Sequence, residues 1–268
     1  MKISVITPTF NSEKTIAKNV ESILNQSYKD FEHIIIDNLS SDKTLEIVNE
    51  LYKNSPSNLR IISEKDNGIS EAFNKGINTA RGDIITILNG DDFYFSNLVF
   101  EKIISTFSEP KILFVHGNIL FNDKLFGTNI RKPLLCDLRK AMPYNHPTMF
   151  LRKELYSVIG LFDTAYKYAM DFDFICKIKN KFNNLDSISA YIKGAPLTVM
   201  NAGGISWTNE IESIKETKKI LMNHHLWDNI ARVNQFLRLF RTRMKKLINI
   251  TGMNFLIIRW RDIKWKAA

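Results

Sequence analysis

Only two cysteines, Cys136 and Cys176, occur in the 268 residues. That scarcity excludes a disulfide-stapled scaffold and points to a reducing, cytoplasmic setting. Cys176 falls in an apolar-periodic segment and reads as a small core residue. No apolar stretch approaches the roughly 20 residues needed to span a bilayer. Lys2 is followed at once by the strand-like run Ile3 to Ile6, so no signal peptide is predicted. There is no internal repeat and no low-complexity segment. Acidic opposition is missing near the C-terminus: from Phe236 onward nine basic residues face Asp262 alone. The net charge of +9 is therefore mostly a property of this tail, and the body is close to neutral. That balance argues against a nucleic-acid-binding protein, whose cations and aromatics would extend across the folded body. The remainder, 44% apolar and 24% charged overall, is an ordinary globular composition with enough chain for a substantial core.

The first hundred residues alternate strand and helix signals. Strands are predicted at Ile3 to Thr7, Phe31 to Ile36, Leu59 to Ser63 and Ile84 to Leu88. Between them run helices: one opening at Asn11-Ser12-Glu13 with Ile16, Val20, Ile23 and Leu24, one capped by Ser40-Ser41-Asp42, and one from Ser70 to Ala80. Such alternation implies an α/β fold with parallel strands and helices on both faces. Ligands of such sheets lie outside the carboxyl ends of the strands. Four polar clusters fall at those ends: Pro8-Thr9-Phe10-Asn11, Asp37-Asn38, Lys65-Asp66-Asn67-Gly68 and Asp91-Asp92. Further on, the pattern predicts a helix from Leu98 to Phe107, and strands at Ile112 to His116 and Ile119 to Phe121 joined by Gly117-Asn118. It also predicts a short strand from Thr148 to Leu151, helices at Leu155 to Ile159 and Asp171 to Lys181, and a strand at Leu197 to Met200. From Asn209 the chain reads as helical and increasingly basic. Residues 1–208 are thus expected to form one domain, and 209–268 a basic amphipathic helical extension.

Asp91 and Asp92 come straight after a buried-strand pattern and the turn signal Asn89-Gly90. Two acids there are costly unless a cation lies beside them. A divalent ion bridging a diphosphate is one answer, because hard cations take oxygen ligands; a solvated surface turn is the other. His224-His225 lack Cys or acid partners at metal-ligand spacing and read as structural.

Several segments together resemble the family 2 glycosyltransferases, inverting enzymes of the GT-A (Rossmann-like) fold. They are Ser4-Val5-Ile6-Thr7-Pro8-Thr9-Phe10-Asn11, Ile34-Ile35-Ile36-Asp37, Asp66-Asn67-Gly68 through Ile77, Asn89-Gly90-Asp91-Asp92, Asn145-His146-Pro147-Thr148, and Gly160-Leu161-Phe162-Asp163 with Met170-Asp171-Phe172-Asp173 beyond it. The likeness spans roughly residues 1–205. It departs from the common pattern at Asn38-Leu39-Ser40, at Asn89, where the first acid of the DXD region stands in the family, and at Met170, where the family commonly has Glu.

The resemblance implies a nucleotide-sugar donor, UDP-linked by preference, and a divalent metal, Mn²⁺ or Mg²⁺. Asp92 is its main expected ligand, with Asp91 beside it or on the ribose. Pro8, Thr9 and Phe10 would contact base and ribose; the alternative is a plain strand-to-helix loop. Asp37 would accept from the base N3–H, or else serve the start of the next helix. Asp66, Gly68 and Asn74 are expected along the donor, and Lys75 faces phosphate or solvent. Asp171 is the expected general base, with Asp173 as runner-up. His146, Gly203 and Gly204 are expected on the acceptor side; an ordinary structural histidine and an ordinary turn are the rivals. The function implied is transfer to a glycan or lipid-linked oligosaccharide in surface-polysaccharide synthesis. A catalytically weak nucleotide-sugar-binding protein is the alternative. The cations and apolar residues of 236–268 predict a peripheral hold on the inner face of the membrane.

Overall fold

Period-two burial cannot explain the first strands, because every residue of β1 (Ile3–Thr9), β2 (Phe31–Asp37) and β4 (Ile84–Ile87) is buried. Strands covered on both faces read as continuous apolar runs, and these do. The computed structural model describes residues 1–54, 58–123, 127–204 and 208–250. With β3 (Asn58–Ser63), β6 (Phe114–Gly117), β9 (Phe150–Arg152) and β10 (Ser189–Ile192) these strands form a seven-stranded sheet. Its order is β10-β6-β9-β4-β1-β2-β3, and β9 alone runs antiparallel to its neighbours. A smaller sheet orders β5 (Phe93–Tyr94), β11 (Thr198–Asn201), β7 (Ile119–Asp123) and β8 (Gly127–Arg131).

Helices α1 (Ile16–Leu24) and α2 (Thr44–Tyr52) cover one face of the large sheet, with Ile16, Val20, Val48 and Tyr52 packed on Ile35. Helix α3 (Ile69–Thr79) covers the other, its Phe73 and Ile77 clustering with Ile6 and Ile34. Helix α4 (Val99–Thr106) packs Phe100 and Ile103 with Ile3 and Val5. The later helices are α5 (Lys153–Ile159), α6 (Met170–Phe182), α7 (Glu210–Asn223) and α8 (Asn229–Ile250). Ile220, Leu221 and Ala231, from α7 and α8, belong to the same core cluster as Ile6 and Ile34. The described part of the expected C-terminal extension therefore packs into the body's own core.

Three details differ from the sequence reading. β6 and β7 are not neighbours in one sheet: the chain crosses from the large sheet to the small one at Gly117-Asn118. Gly117 is needed there, because a Cβ would lie 2.6 Å from Leu197 Cδ1. The strand expected from Thr148 begins later, at Phe150; His146–Thr148 is a 3₁₀ turn whose proline cannot donate to a ladder. β5, β8 and β10 carry no alternation strong enough to announce them, since they are two to five residues long.

Candidate active site

Parallel pairing sets Thr9 opposite Asp37 and Asp37 opposite Ser63, so these strand ends share one edge. Their loops are laced together. The Asn38 N–H donates to the Thr9 carbonyl at 3.0 Å, the Asn11 N–H to Ser40 Oγ at 2.8 Å and the Asp66 N–H to Asn38 Oδ1 at 2.8 Å. Pro8 and Thr9 are buried, whereas Phe10 is 57% exposed. Leu39 on the neighbouring loop is 55% exposed and has φ 56, a strained backbone for that residue type.

Asp37 offers no exposed oxygen. Its carboxylate accepts from Ser40 Oγ at 2.5 Å, the Ser40 N–H at 3.1 Å and Ser63 Oγ at 2.6 Å. Of Ser40-Ser41-Asp42, expected to cap α2, it is Asp42 that serves its start, accepting from the Thr44 N–H and hydroxyl, while Asp37 does not. Asp66 accepts from the N–H of Gly68, whose φ of 144 few other residues adopt. Burial raises the Asp66 carboxyl above its ordinary value. Asn74, expected along the donor, is engaged elsewhere: its amide donates to the Phe162 carbonyl at 2.8 Å and accepts from the Phe162 N–H at 3.0 Å. A planar amide matched to the N–H and C=O of one residue pins α3 to the loop before α6. Lys75 pairs with Glu64 and Glu71, both at 3.1 Å.

The turn after β4 is built by a residue the sequence reading missed. Asn19 on α1 donates to the carbonyls of both Asn89 and Asp92 at 2.9 Å. The available signal was a polar side chain on the helix face that carries Ile16, Val20 and Ile23. Asn201 of β11 holds the Asp91 carbonyl at 2.8 Å. Asp92 is 1% exposed, and burial pushes its carboxyl well above the usual range, helped by the neighbouring Asp91 charge. Burial raises Asp91 too.

Three buried oxygens in this region have no hydrogen-bond partner among the described residues: Thr9 Oγ1, Asn89 Oδ1 and Asp92 Oδ2. Gly90 lies among them, and a Cβ there would stand 3.2 Å from Thr9 Oγ1. Orphaned buried acceptors are rare and ask for a counterpart. Oxygen acceptors with two raised carboxyls fit a hard divalent cation that completes its shell with phosphate oxygens. No cluster of three or more His, Cys, Asp or Glu forms a metal cage among the described residues. The protein side of such a site is thus partial.

Asp171 lies in the first turn of α6 and lines a cavity of about 280 Å³ together with Asn201, Gly203 and Gly204. A second residue missed in the sequence, Glu216 of α7, sets the approach to Asp171. Its carboxylate accepts the backbone N–H groups of Lys167, Tyr168 and Ala169 at 2.9, 2.7 and 3.0 Å. Below Asp171 is a void of about 10 Å³ that it shares with His146. His146 stacks on Phe73 with ring centroids 5.5 Å apart. Burial lowers its pKa and the Asp171 charge partly opposes this, so His146 is neutral at pH 7. Asp173 is 3% exposed and bound by His224 at 2.8 Å and Lys177 at 3.0 Å. That makes it a structural anchor between α6 and the end of α7.

The cavity's far wall comes from α7 and α8, including Glu210, Ser213, Thr217, Gln235 and Arg238. Arg238 was expected on a membrane-facing tail and instead faces Asp171 across this space.

The sequence model of Glycosyl transferase family 2 matches residues 4–172. A PGL/p-HBAD biosynthesis glycosyltransferase of Mycobacterium tuberculosis is 27% identical over 263 residues, 96% of each chain. A hyaluronan synthase of Pasteurella multocida is 27% identical over 250 residues, covering 82% of this chain and 25% of that one. Among solved structures, S. aureus TarS 1–349 in complex with UDP-GlcNAc has a TM-score of 0.64 at 20% identity, over 83% of this chain and 67% of that one. The mannosyltransferase PcManGT of Pyrobaculum calidifontis, with GDP-Man and Mn²⁺, has a TM-score of 0.60 at 15% identity, over 94% and 80%. At such identities these structures establish a common fold.

Proposed function

The chain belongs to glycosyl transferase family 2, and from that premise we propose that it moves one sugar, with inversion, from a UDP-linked donor to a hydroxyl of a glycan or lipid-linked acceptor. The observation that carries this reading is the meeting of two features at one sheet edge. Orphaned oxygens gather around Asn89-Gly90-Asp91-Asp92, and the cavity lined by Asp171 is joined to that turn by Asn201. Exposed Phe10 and Leu39 offer a flat apolar seat for a base. The UDP preference rests on Asp37, which would take the uracil N3–H in exchange for one of its serine donors. The related folds carry both UDP- and GDP-sugars, so the base is a property of this loop and not of the fold.

When bound, Mn²⁺ or Mg²⁺ would neutralise the diphosphate and stabilise it as a leaving group. Asp92 and Asp91 would hold it. The chain's own contribution to the chemistry is the Asp171 carboxylate. It accepts the acceptor hydroxyl's proton as that oxygen bonds to the anomeric carbon and the carbon–oxygen bond to the diphosphate breaks on the opposite face. Glu216 orients Asp171 by fixing the three peptides that precede α6. His146, neutral and stacked on Phe73, closes the space beneath it. A positioned base contributes about 10²–10⁴-fold to such a step. Asp171→Asn is expected to keep donor binding, read as a thermal shift with UDP-sugar and Mn²⁺, and to lose transfer by about that factor. Near-normal turnover in the variant would reject the assignment. A panel of UDP-, GDP-, dTDP- and CMP-sugars, each with Mn²⁺ or EDTA, tests the base and the metal. A shift is expected with UDP-sugars alone and only with the metal.

A second observation favours a peripheral hold on an anionic membrane surface. Val233, Phe236, Leu237, Phe240, Met244 and Leu247 form an exposed apolar stripe on α8, with exposed Arg241 and Arg243 alongside. The basic and aromatic residues 251–268, also expected to take part, lie outside the described residues. No described helix is long and apolar enough to cross a membrane. Salt-sensitive binding to anionic vesicles, abolished by deleting 236–268, is the expected result.

A further inference from the structure

We infer that Arg238, with Gln235, forms a subsite for an oxyanion carried by the acceptor sugar, a carboxylate or a phosphate, so that the enzyme selects acidic acceptors. The inference rests on the transferase reading above and adds the acceptor's chemical class. Arg238 projects from α8 into the cavity that Asp171 lines. A guanidinium has five N–H donors. Here it has two protein partners, both at the limit of hydrogen-bond length: Thr217 Oγ1 at 3.4 Å and Ser213 Oγ at 3.5 Å. No carboxylate comes within 4.0 Å of it among the described residues; its contacts are hydroxyls. Glu210, on the same wall, pairs with Lys245 at 3.5 Å. Gln235 Oε1, three residues before Arg238 on the same helix, is buried with no partner among the described residues. The cavity thus holds a fixed cation lacking its anion, beside a buried acceptor lacking its donor. An acidic sugar supplies both, an oxyanion for Arg238 and a hydroxyl for Gln235 Oε1. Arginine suits this task because its planar fork matches carboxylate and phosphate oxygens two at a time. Burial lowers the pKa of Arg238, with the fields of Glu210 and Asp171 opposing, yet an arginine keeps its charge at neutral pH.

The test uses the full chain with UDP and Mn²⁺ saturating, so that added anions cannot occupy the donor site. Three probes on one sugar scaffold are titrated by saturation-transfer NMR: methyl β-D-glucuronide, methyl glucoside 6-phosphate and neutral methyl β-D-glucoside. At least one anionic probe is expected to bind about tenfold or more tightly than the neutral one, the worth of a charge-assisted hydrogen bond. Whichever anion binds better identifies the oxyanion as carboxylate or phosphate. Arg238→Gln should abolish the preference and Arg238→Lys should retain part of it. Arg232→Gln, an exposed change two turns earlier, should leave it intact. Circular dichroism and melting temperature confirm that each variant is folded. Equal binding of all three probes, no binding of either anion, or an unchanged preference in Arg238→Gln overturns the subsite. If UDP with Mn²⁺ still raises the melting temperature in that case, the subsite alone has failed. If that response is absent too, the donor reading has failed with it.

Discussion

Strands β1, β2 and β4 and helix α8 bury opposite kinds of surface. In the strands, isoleucines and valines fill the interior, and several of the polar residues among them pair with one another: Ser4 with Glu32 at 2.6 Å, His33 with Tyr52 at 2.8 Å and with Thr7 at 2.9 Å. In α8 the residues turned inward are Ala231, Gln235, Arg238, Thr242 and Lys245, while the stripe from Val233 through Phe236, Phe240 and Leu247 faces out. The spacing is the same on both faces of the helix, so periodicity alone cannot say which one the body covers. The difference teaches that α8 joins the apolar core only at Ala231 and beyond it turns polar side chains toward a cavity of mixed lining. Its apolar face is left for something outside the described chain. The exposed stripe exceeds scattered surface apolar residues in being contiguous along one helix face.

The comparison can be sharpened first in the core. Ile34→Ala removes a fully buried side chain from the largest cluster, and a loss of about 2–5 kcal/mol is expected in denaturant unfolding. Asn19→Ala comes next. It leaves the buried Asp92 carbonyl without its donor and the Asn89 carbonyl with only the Asp92 N–H, at about 1–3 kcal/mol, and it should also weaken the Mn²⁺-dependent response to UDP-sugar. A smaller loss would mean that the turn holds itself.

Acid tests the polar part of the sheet. Burial lowers the His33 pKa to about 3 and the His116 pKa to about 4. Between these values and the ordinary 6.5 the unfolded chain binds protons that the folded chain does not. Stability is therefore full above about pH 6.5 and falls as pH drops toward 3. His33→Asn should flatten that fall; an unchanged slope would exclude His33 as its source. The smallest expected effect is the one that separates the two regions. Phe236→Ser with Phe240→Ser should alter stability by no more than about 0.5 kcal/mol, because both side chains are already in water. The same pair should weaken binding to anionic vesicles. A large loss of stability would break the comparison and show that the stripe is covered by the chain itself.

Much of the site was legible because the fold's logic is local. Runs such as Phe31 to Asp37 and Ile84 to Ile87 announce buried strands, and α/β alternation gathers the loops at their carboxyl ends along one edge. Asp91 and Asp92 became candidates by that logic and by resemblance, and Asp171 by resemblance alone. The residues that position them did not. Asn201 reaches Asp91 across 110 positions, and Glu216 reaches Lys167 to Ala169 across 47 to 49. Nothing in local spacing marks a glutamate on an amphipathic helix as the clamp on a distant loop. Asn74 was expected along the donor from its motif, and only the tertiary structure shows its amide bound to the Phe162 backbone.

By itself the sequence determined the strand–helix order, the family and the edge at which polar residues collect, because hydrophobic period and turn chemistry act over a few residues. Tertiary structure alone decided which face of α8 turns inward, that Asp173 is anchored while Asp171 is open to a cavity, and that Arg238 looks into that cavity with no carboxylate within 4.0 Å of it among the described residues. Those outcomes depend on which surfaces meet, and a helix with two plausible faces is resolved only by the shape and polarity of the surface it packs against.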